Sequence, residues 1–200
     1  MRSKRPTLEE YMMAIARVVS TRGTCDRLHA SMVTFDPVTK RILTTGYGGS
    51  KQGEPHCEDV GCEMRDGHCV RTNHGEENAV RQADLYGVDL KGKHAVSLVL
   101  PCGNRCMDPM VNAGLAQVTY GGKYHRQKEV ESTHAQEYES ALKKAEAAGV
   151  SFHEFEGDDL YPLLIAVYDI MRERGIDDEA LLGELKKVKT NVTHRVVKPV

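Results

Sequence analysis

Two segments, TNHGEENAV (72–80) and VLPCGNRCMDPMV (99–111), decide how this sequence is interpreted. The first contains a histidine and, two residues on, a glutamate. The second contains a proline followed directly by a cysteine, with another cysteine four residues later. Imidazole nitrogen and thiolate sulfur are donors that zinc prefers, and a catalytic zinc keeps three protein ligands and one open position. The predicted ligands are His74, Cys102 and Cys106.

The positions of these residues favour a catalytic role for the metal. His74 and both cysteines fall at or just before predicted helix starts, where the helix dipole favours the thiolate form. Glu76 lies in the first turn after His74, so its carboxylate is expected to face the metal-bound water without ligating it. Zinc lowers the pKa of such a water to about 7, and Glu76 would carry its proton to the substrate. This combination is typical of hydrolytic deamination. The alternative is a purely structural zinc, or a buried cysteine pair with an incidental histidine.

The order of periodic segments predicts an α/β fold. Alternating strands and helices indicate a sheet covered by helices on both faces. We expect one catalytic domain over 1–156 and a helical extension over 157–200. The expected strands are 28–35, 41–46, 94–100, 117–120 and 150–154, and the expected helices are 8–20, 74–86, 106–113, 137–148, 160–174 and 178–188. Residues 54–75 lack periodicity and are expected to be a long polar loop.

Composition restricts the partners and the compartment. A net charge of −2 over 200 residues argues against a nucleic acid polymer as substrate, which would favour a basic surplus. No apolar run is long enough for a membrane span, and the start MRSKRPTLEE lacks the hydrophobic core of a signal peptide. We therefore expect a cytoplasmic protein with reduced thiols. In that compartment its six cysteines are ligands rather than disulfides.

The same residues carry a family resemblance that extends over about residues 8–125. HGEENA with VLPCGNRC resembles the HAExNA and PCxxC motifs of the cytidine deaminase superfamily. The surroundings resemble deoxycytidylate deaminases in four segments: TCDR (24–27), TTGYGGS (44–50), EPHCEDVGC (54–62) and GHCVRTNHGEENA (67–79). The resemblance implies a three-layer α/β/α fold with a central five-stranded mixed sheet.

For function, the resemblance implies conversion of dCMP to dUMP by a homo-oligomer, dimer to hexamer, with dCTP and dTTP as effectors. It implies that His74, Cys102 and Cys106 bind zinc and that Glu76 shuttles the proton. The positions that it implies contact the nucleotide are Asn78, Tyr124, Gly48 and Ser50.

Three departures from the family pattern bear on which substrate is bound more than on the deamination chemistry. Three residues separate Cys102 from Cys106 where the family has two, so one extra residue must be absorbed, and the added glycine would permit this. Gly75 replaces the usual alanine after the ligand histidine. Gly48 replaces the asparagine of GYNG, which puts sugar recognition and effector binding in question.

The remaining cysteines suggest a second metal. A structural zinc takes four Cys or His ligands, and the resemblance includes deaminases that carry such an ion in this region. The expected ligands are Cys25, Cys57, Cys62 and Cys69, with His56 or His68 as alternates. The alternative is a set of unliganded thiols, some of them buried.

Three competing functions remain open. One is a deaminase of another or modified cytosine nucleotide. Another is the pyrimidine deaminase of riboflavin synthesis, which the close spacing of Cys102 and Cys106 disfavours. The third is a catalytically silent zinc- and nucleotide-binding protein, which would have no need of Glu76.

Overall fold

The computed structural model describes residues 6–65, 68–122 and 131–156. Its strands are β1 Ser31–Phe35, β2 Ile42–Tyr47, β3 Gly49–Ser50, β4 Met64–Arg65, β5 His68–Cys69, β6 Thr72–Asn73, β7 His94–Ser97, β8 Gln117–Tyr120 and β9 Ser151–Glu154. Its helices are α1 Leu8–Ser20, α2 Cys57–Val60, α3 Gly75–Tyr86, α4 Gly103–Asn112 and α5 Glu131–Ala147.

The central sheet has five strands in the order β2-β1-β7-β8-β9. Strand β1 pairs antiparallel with β2 and with β7, whereas β7, β8 and β9 run parallel. Parallel neighbours require a crossover connection, and here α4 and α5 provide the two crossovers. The mixed five-stranded sheet predicted by the resemblance is therefore confirmed.

Helices cover both faces of this sheet because successive strand residues point to opposite sides. On β1, Met32 belongs to the apolar cluster built with α3, α4 and α5, and its neighbour Val33 belongs to the cluster built with α1. On β7, Ala95 and Val96 divide in the same way. Strands buried on both faces read as continuous apolar runs, which agrees with the fully buried β1.

Helix α1 begins with a reciprocal cap. Thr7 Oγ1 accepts a hydrogen bond from Glu10 N at 3.2 Å, and Glu10 Oε2 accepts one from Thr7 N. The two bonds satisfy donors that a helix N-terminus otherwise leaves unpaired. The helix ends at Ser20, as expected, and Thr21 is its C-cap.

The segment 54–75 is not the long loop that its polarity suggested. It contains helix α2, the hairpin β4–β5, and β6, which pairs with β3. Its buried apolar side chains are Cys57 and Cys69, which pack with Cys25 and Cys62, so the segment packs around sulfur rather than around aliphatic groups. Such packing has no hydrophobic periodicity for a sequence pattern to reveal.

Helix α3 packs directly on the backbone of β1 and β2 through two glycines. A Cβ atom at Gly46 would lie 2.1 Å from Gly75 O and 2.3 Å from Ala79 N. A Cβ at Gly75 would lie 2.7 Å from Ser31 Cα. This close approach explains why glycine follows the predicted ligand histidine, where related motifs have alanine.

Side chains of α3 also bind the outer edge of β2. Gln82 Oε1 accepts a hydrogen bond from Thr45 N at 2.9 Å, and Asn78 Nδ2 donates one to Tyr47 O at 2.8 Å. Together with the two glycines, these bonds fix the start of α3 relative to the sheet.

The predicted helical extension over 157–200 lies outside the described residues, as do both helices expected within it. Among the helices that are described, none combines the length and the apolarity that crossing a membrane requires.

Candidate active site

Three predicted ligand side chains meet at one end of the sheet. His74 Nδ1 lies 3.0 Å from Cys102 Sγ and 3.1 Å from Cys106 Sγ, and the two sulfur atoms are 3.3 Å apart. Cys106 is buried, and the other two side chains are partly buried. We call this group, His74, Cys102 and Cys106, the three-ligand site.

Two helix starts bring these donors together. His74 is the N-cap of α3, and Cys102 is the N-cap of α4. Cys106 follows one helical turn later, and its N–H donates to Cys102 O at 3.2 Å. Residues four apart on a helix share a face, so the longer spacing still directs both thiols to one point.

The extra residue between the cysteines is accommodated at the first position of α4. Gly103 has φ +36°, in the left-handed region that favours glycine. A Cβ there would meet no atom within 4 Å, so the constraint on this position is conformational rather than steric.

Glu76 lies at the bottom of the site, buried in the first turn of α3. Ser97 Oγ donates to its Oε1 at 3.3 Å, while its Oε2 is buried without a hydrogen-bond partner among the described residues. A buried carboxylate oxygen without a partner is costly in a structure, and it is often the sign of a functional group. Ser97 comes from β7, and no local sequence pattern links it to Glu76.

Two opposing effects set the pKa of the Glu76 carboxyl. Burial raises the pKa of its carboxyl to about 7, while the neighbouring His74 acts to lower it. A general base with a pKa near neutrality is well placed for proton transfer. The positive charge of a bound metal would add to the lowering effect.

The pKa values of the two thiols in the three-ligand site favour metal binding. A hydrogen bond from Cys106 lowers the pKa of the Cys102 thiol, and His74 acts in the same direction. The same bond raises the pKa of Cys106, so the two sulfurs share a proton that a cation would displace. One nitrogen and two sulfur donors, with an unpartnered carboxylate beside them, fit a zinc ion with an open position.

Four other cysteines form a second group, which we call the four-cysteine cluster. The Sγ atoms of all four lie within 4.8 Å of one another, and no cysteine is oxidised. Thr72 Oγ1 lies 3.2 Å from Cys57 Sγ and 3.5 Å from Cys69 Sγ. The members of the cluster are Cys25, Cys57, Cys62 and Cys69.

The structure shows the side chain of only one of the two histidines considered as alternate ligands of this cluster. His56 Nδ1 lies 3.0 Å from Thr24 Oγ1, and His56 is the N-cap of α2, so it is engaged outside the cluster. The side chain of His68 is not among those described.

The residues expected to contact a nucleotide divide into three groups. Asn78 is committed to Tyr47 O, so it supports the glycine loop that follows Tyr47. Ser50 lies on β3 and pairs with Thr72 of β6, the strand directly before His74, and a Cβ at Gly48 would lie 3.7 Å from Thr72 Cγ2. Ser50 Oγ is a second buried oxygen without a partner among the described groups. Tyr124 falls outside the described residues.

Comparison with known proteins gives one family. The family model for the cytidine and deoxycytidylate deaminase zinc-binding region matches residues 6–122. ComE operon protein 2 of Bacillus subtilis is 33% identical over 157 residues, which cover 78% of this chain and 76% of that protein. The deoxycytidylate deaminase of Saccharomyces cerevisiae is 28% identical over 133 residues, which cover 62% of this chain and 41% of the yeast protein.

A solved structure shares the fold. The dCMP deaminase of cyanophage S-TIM5, in complex with dCMP and dUMP, superposes with a TM-score of 0.60 at 21% identity. The superposition covers 76% of this chain and 99% of the phage chain.

Proposed function

This chain belongs to the zinc-dependent cytidine and deoxycytidylate deaminase family, and we propose that its own reaction is the hydrolysis of dCMP to dUMP and ammonia. The protein is a deaminase by its family, so the proposal concerns the substrate and the roles of individual residues. Its main support is Glu76, a buried carboxyl that lies close enough to His74 and Cys102 for both to act on its pKa, and whose Oε2 has no hydrogen-bond partner among the described groups.

In this proposal, His74, Cys102 and Cys106 hold the metal. A zinc ion held there would lower the pKa of a water molecule to about 7. Glu76 would accept one proton from the attacking water at Oε2 and place it on the ring nitrogen of cytosine as the water oxygen bonds to C4. It would then carry the remaining hydroxyl proton to the exocyclic amino group, and the C4–N bond would break as ammonia leaves. Water and dCMP are thereby converted into dUMP and ammonia, and Glu76 returns to its starting state.

The surroundings of Glu76 support this shuttle. Oε1 lies 3.3 Å from Ser97 Oγ, whose hydroxyl also has Val99 O at 2.8 Å as an acceptor. Oε2, which has no partner among the described groups, is the oxygen proposed to exchange protons. Full burial excludes bulk water, which strengthens electrostatic effects at the reacting atoms. A merely structural zinc would gain nothing from a buried acid at this position.

The test is ammonia release by the zinc-loaded protein offered dCMP, CMP, deoxycytidine and 5-methyl-dCMP in parallel. We expect dCMP to give the highest kcat/KM. Absence of ammonia from all four, with zinc bound, would overturn the proposal and favour a nucleotide-binding protein. A clear preference for 5-methyl-dCMP or CMP would instead reassign the substrate within the same chemistry.

One observation favours a second candidate, a related but different cytosine nucleotide. Gly48 offers no amide where related loops have asparagine, and a Cβ there would meet its nearest neighbours at 3.7 Å. The loop therefore has room for a side chain that this sequence omits. If that space admits a larger sugar or base substituent, Gly48→Asn should shift preference toward dCMP. If Gly48→Asn leaves the ratio of kcat/KM for CMP and dCMP unchanged, Gly48 does not determine which nucleotide is preferred.

For the four-cysteine cluster, we propose a second, structural zinc. Among the described residues this group consists of four thiols and no carboxylate, a ligand set typical of structural zinc sites. The hydrogen bonds around Cys69 add support: burial opposes ionisation there, but bonds from Thr72 and Cys57 lower the pKa of its thiol to about 6. One thiolate is thus available before metal binds.

We also propose a cytoplasmic location, from the composition, and the resemblance supports a homo-oligomer that responds to dCTP and dTTP. Adding dCTP or dTTP to the same ammonia assay tests regulation. Sedimentation of the zinc-loaded protein, with and without dCTP, tests assembly.

A further inference from the structure

Arg105 occupies an unusual place, between the two cysteines of the three-ligand site. Its Nε donates to Glu77 Oε2 at 3.0 Å, and its Nη2 donates to Thr72 O at 3.1 Å. The side chain is 38% exposed, so it closes the outer rim of the site rather than its floor.

The partner of Arg105 is itself bound to a ligand residue. Glu77 Oε2 also accepts a hydrogen bond from His74 N at 2.8 Å. Thus a single carboxylate oxygen joins the backbone of one metal ligand to a side chain from the helix that carries the other two. Thr72, the second partner, lies two residues before His74, so Arg105 donates hydrogen bonds to the chain on both sides of that histidine.

The two segments that Arg105 connects are otherwise placed by different parts of the fold. The start of α3 is set by its contact with β1 and β2 at Gly46 and Gly75. The start of α4 follows the end of β7. The metal ligands therefore depend on independent supports, and the relative position of these two helix starts determines whether three donors can meet.

We propose that Arg105 is a positioning residue, which fixes the ligand set of the catalytic metal by tying His74 to the helix of Cys102 and Cys106 through Glu77 and Thr72. This inference rests on the proposed function only in naming the metal catalytic. Arginine suits the role because its planar fork makes two directed hydrogen bonds at once, which lysine cannot reproduce.

Zinc release provides a test that does not depend on turnover. Zinc transfer to a chromophoric chelator is followed in the wild type, Arg105→Met, Arg105→Lys and, as a matched control, Arg81→Met. Arg81 is exposed on α3, so its replacement removes the same charge from a neighbouring surface. The release phase that is missing in Cys102→Ser identifies the three-ligand site.

Groups that orient metal ligands typically change metal affinity about 10- to 100-fold when removed. We expect Arg105→Met to accelerate release from the three-ligand site by about that factor, and Arg105→Lys to recover only part of the loss. Arg81→Met should leave the phase unchanged. Equal release from wild type and Arg105→Met would overturn the proposal.

Two further measurements separate positioning from substrate binding. If Arg105 acts through Glu77, Glu77→Gln and Arg105→Met together should accelerate release by less than the product of their separate factors. A fully multiplicative result would exclude the route through Glu77. On substrates, positioning predicts equal losses of kcat for dCMP and deoxycytidine, whereas contact with phosphate would raise KM for dCMP alone and leave zinc release unchanged.

The two proposals fail in different ways. If the wild-type protein deaminates no cytosine nucleotide but its zinc release depends on Arg105, the proposed substrate is wrong and the positioning role of Arg105 stands. Normal dCMP turnover with release independent of Arg105 would do the reverse.

Discussion

The three-ligand site combines two sulfurs and one nitrogen with a free carboxylate oxygen, whereas the four-cysteine cluster has four sulfurs and a hydroxyl. In the first, three donors would leave a zinc ion one open position. In the second, four thiols would fill all four positions of a structural zinc, and Thr72 Oγ1 lies near two of them. On the proposals made above, similar ligands, less than ten residues apart at Cys69 and His74, would serve chemistry in one place and folding in the other.

The largest expected effect isolates the feature that the four-cysteine cluster lacks. Glu76→Gln keeps the shape of the side chain and the contact with Ser97 but removes the proton acceptor. Turnover should fall by about 10²–10⁴-fold, with zinc content unchanged by elemental analysis. Glu146→Gln, at an exposed position on α5, is the control. Surviving turnover would show that Glu76 is not the proton shuttle.

Removing a sulfur from the four-cysteine cluster should damage stability more than chemistry. We expect two zinc ions per chain in the wild type and one in Cys57→Ser. The melting temperature should drop sharply, because the binding free energy of a structural zinc is folding free energy. Residual folded protein should still deaminate. A single zinc in the wild type, unaffected by Cys57→Ser, would show that the cluster holds no metal.

Crowding the start of α3 should affect only the three-ligand site. The added methyl of Gly46→Ala meets backbone atoms of α3, which cannot rotate away, and overpacking of this kind costs about 1–3 kcal/mol. We expect chelator to extract zinc faster from the three-ligand site and at an unchanged rate from the four-cysteine cluster. Gly122→Ala is the control, since a Cβ there meets nothing within 4 Å. Equal loss of both ions would mean that the two regions are not independent.

A smaller change should act on the four-cysteine cluster alone. Thr72→Val removes the hydroxyl beside Cys57 and Cys69 but keeps the backbone carbonyl that Arg105 uses. Zinc affinity of the cluster should fall about tenfold, as for other groups that support metal ligands. Thr45→Val, on β2, serves as the comparison variant. If catalytic zinc is lost instead, Thr72 belongs functionally to the other site.

The smallest expected effect concerns the ion pair of Asp36 and Lys93, which belongs neither to the three-ligand site nor to the four-cysteine cluster. Lys93 Nζ donates to Asp36 Oδ2 at 2.7 Å, and this bond lowers the pKa of the Asp36 carboxyl to about 2, with backbone donors assisting. A lowered pKa stabilises the fold above the ordinary value of 3.8, and the contribution disappears as pH falls toward 2. Asp36→Asn should therefore reduce the dependence of unfolding free energy on pH in this window. Urea titrations at several pH values check this, and zinc content at neutral pH should not change.

The sequence predicted the fold class and selected the donors that lie together, because both leave regular traces. Alternating strands and helices produce periodicity, and zinc ligands are recognisable by residue type and spacing. The cysteines of 54–75 were identified as a group, but the strands around them were missed because sulfur packing leaves no apolar repeat.

Contacts between distant segments could not be predicted. Ser97 reaches Glu76 from another strand, and Arg105 reaches Glu77 and Thr72 from another helix. The glutamate three residues after His74 is a capping-box pattern that would have placed Glu77 against the His74 N–H. Nothing local indicates that Gly46 must accept the backbone of α3, since that requirement exists only once the helix crosses the strand.

The bonds from Gln82 and Asn78 to β2 have a consequence for how copies of this protein meet. An outer strand with free N–H and C=O groups can recruit a strand from another chain and begin aggregation. Here the N–H of Thr45 and the C=O of Tyr47 are already occupied by side chains of the same chain. A second molecule therefore finds no continuous row of backbone groups on this side of the sheet, and the helix that carries His74 also protects the chain from intermolecular strand pairing.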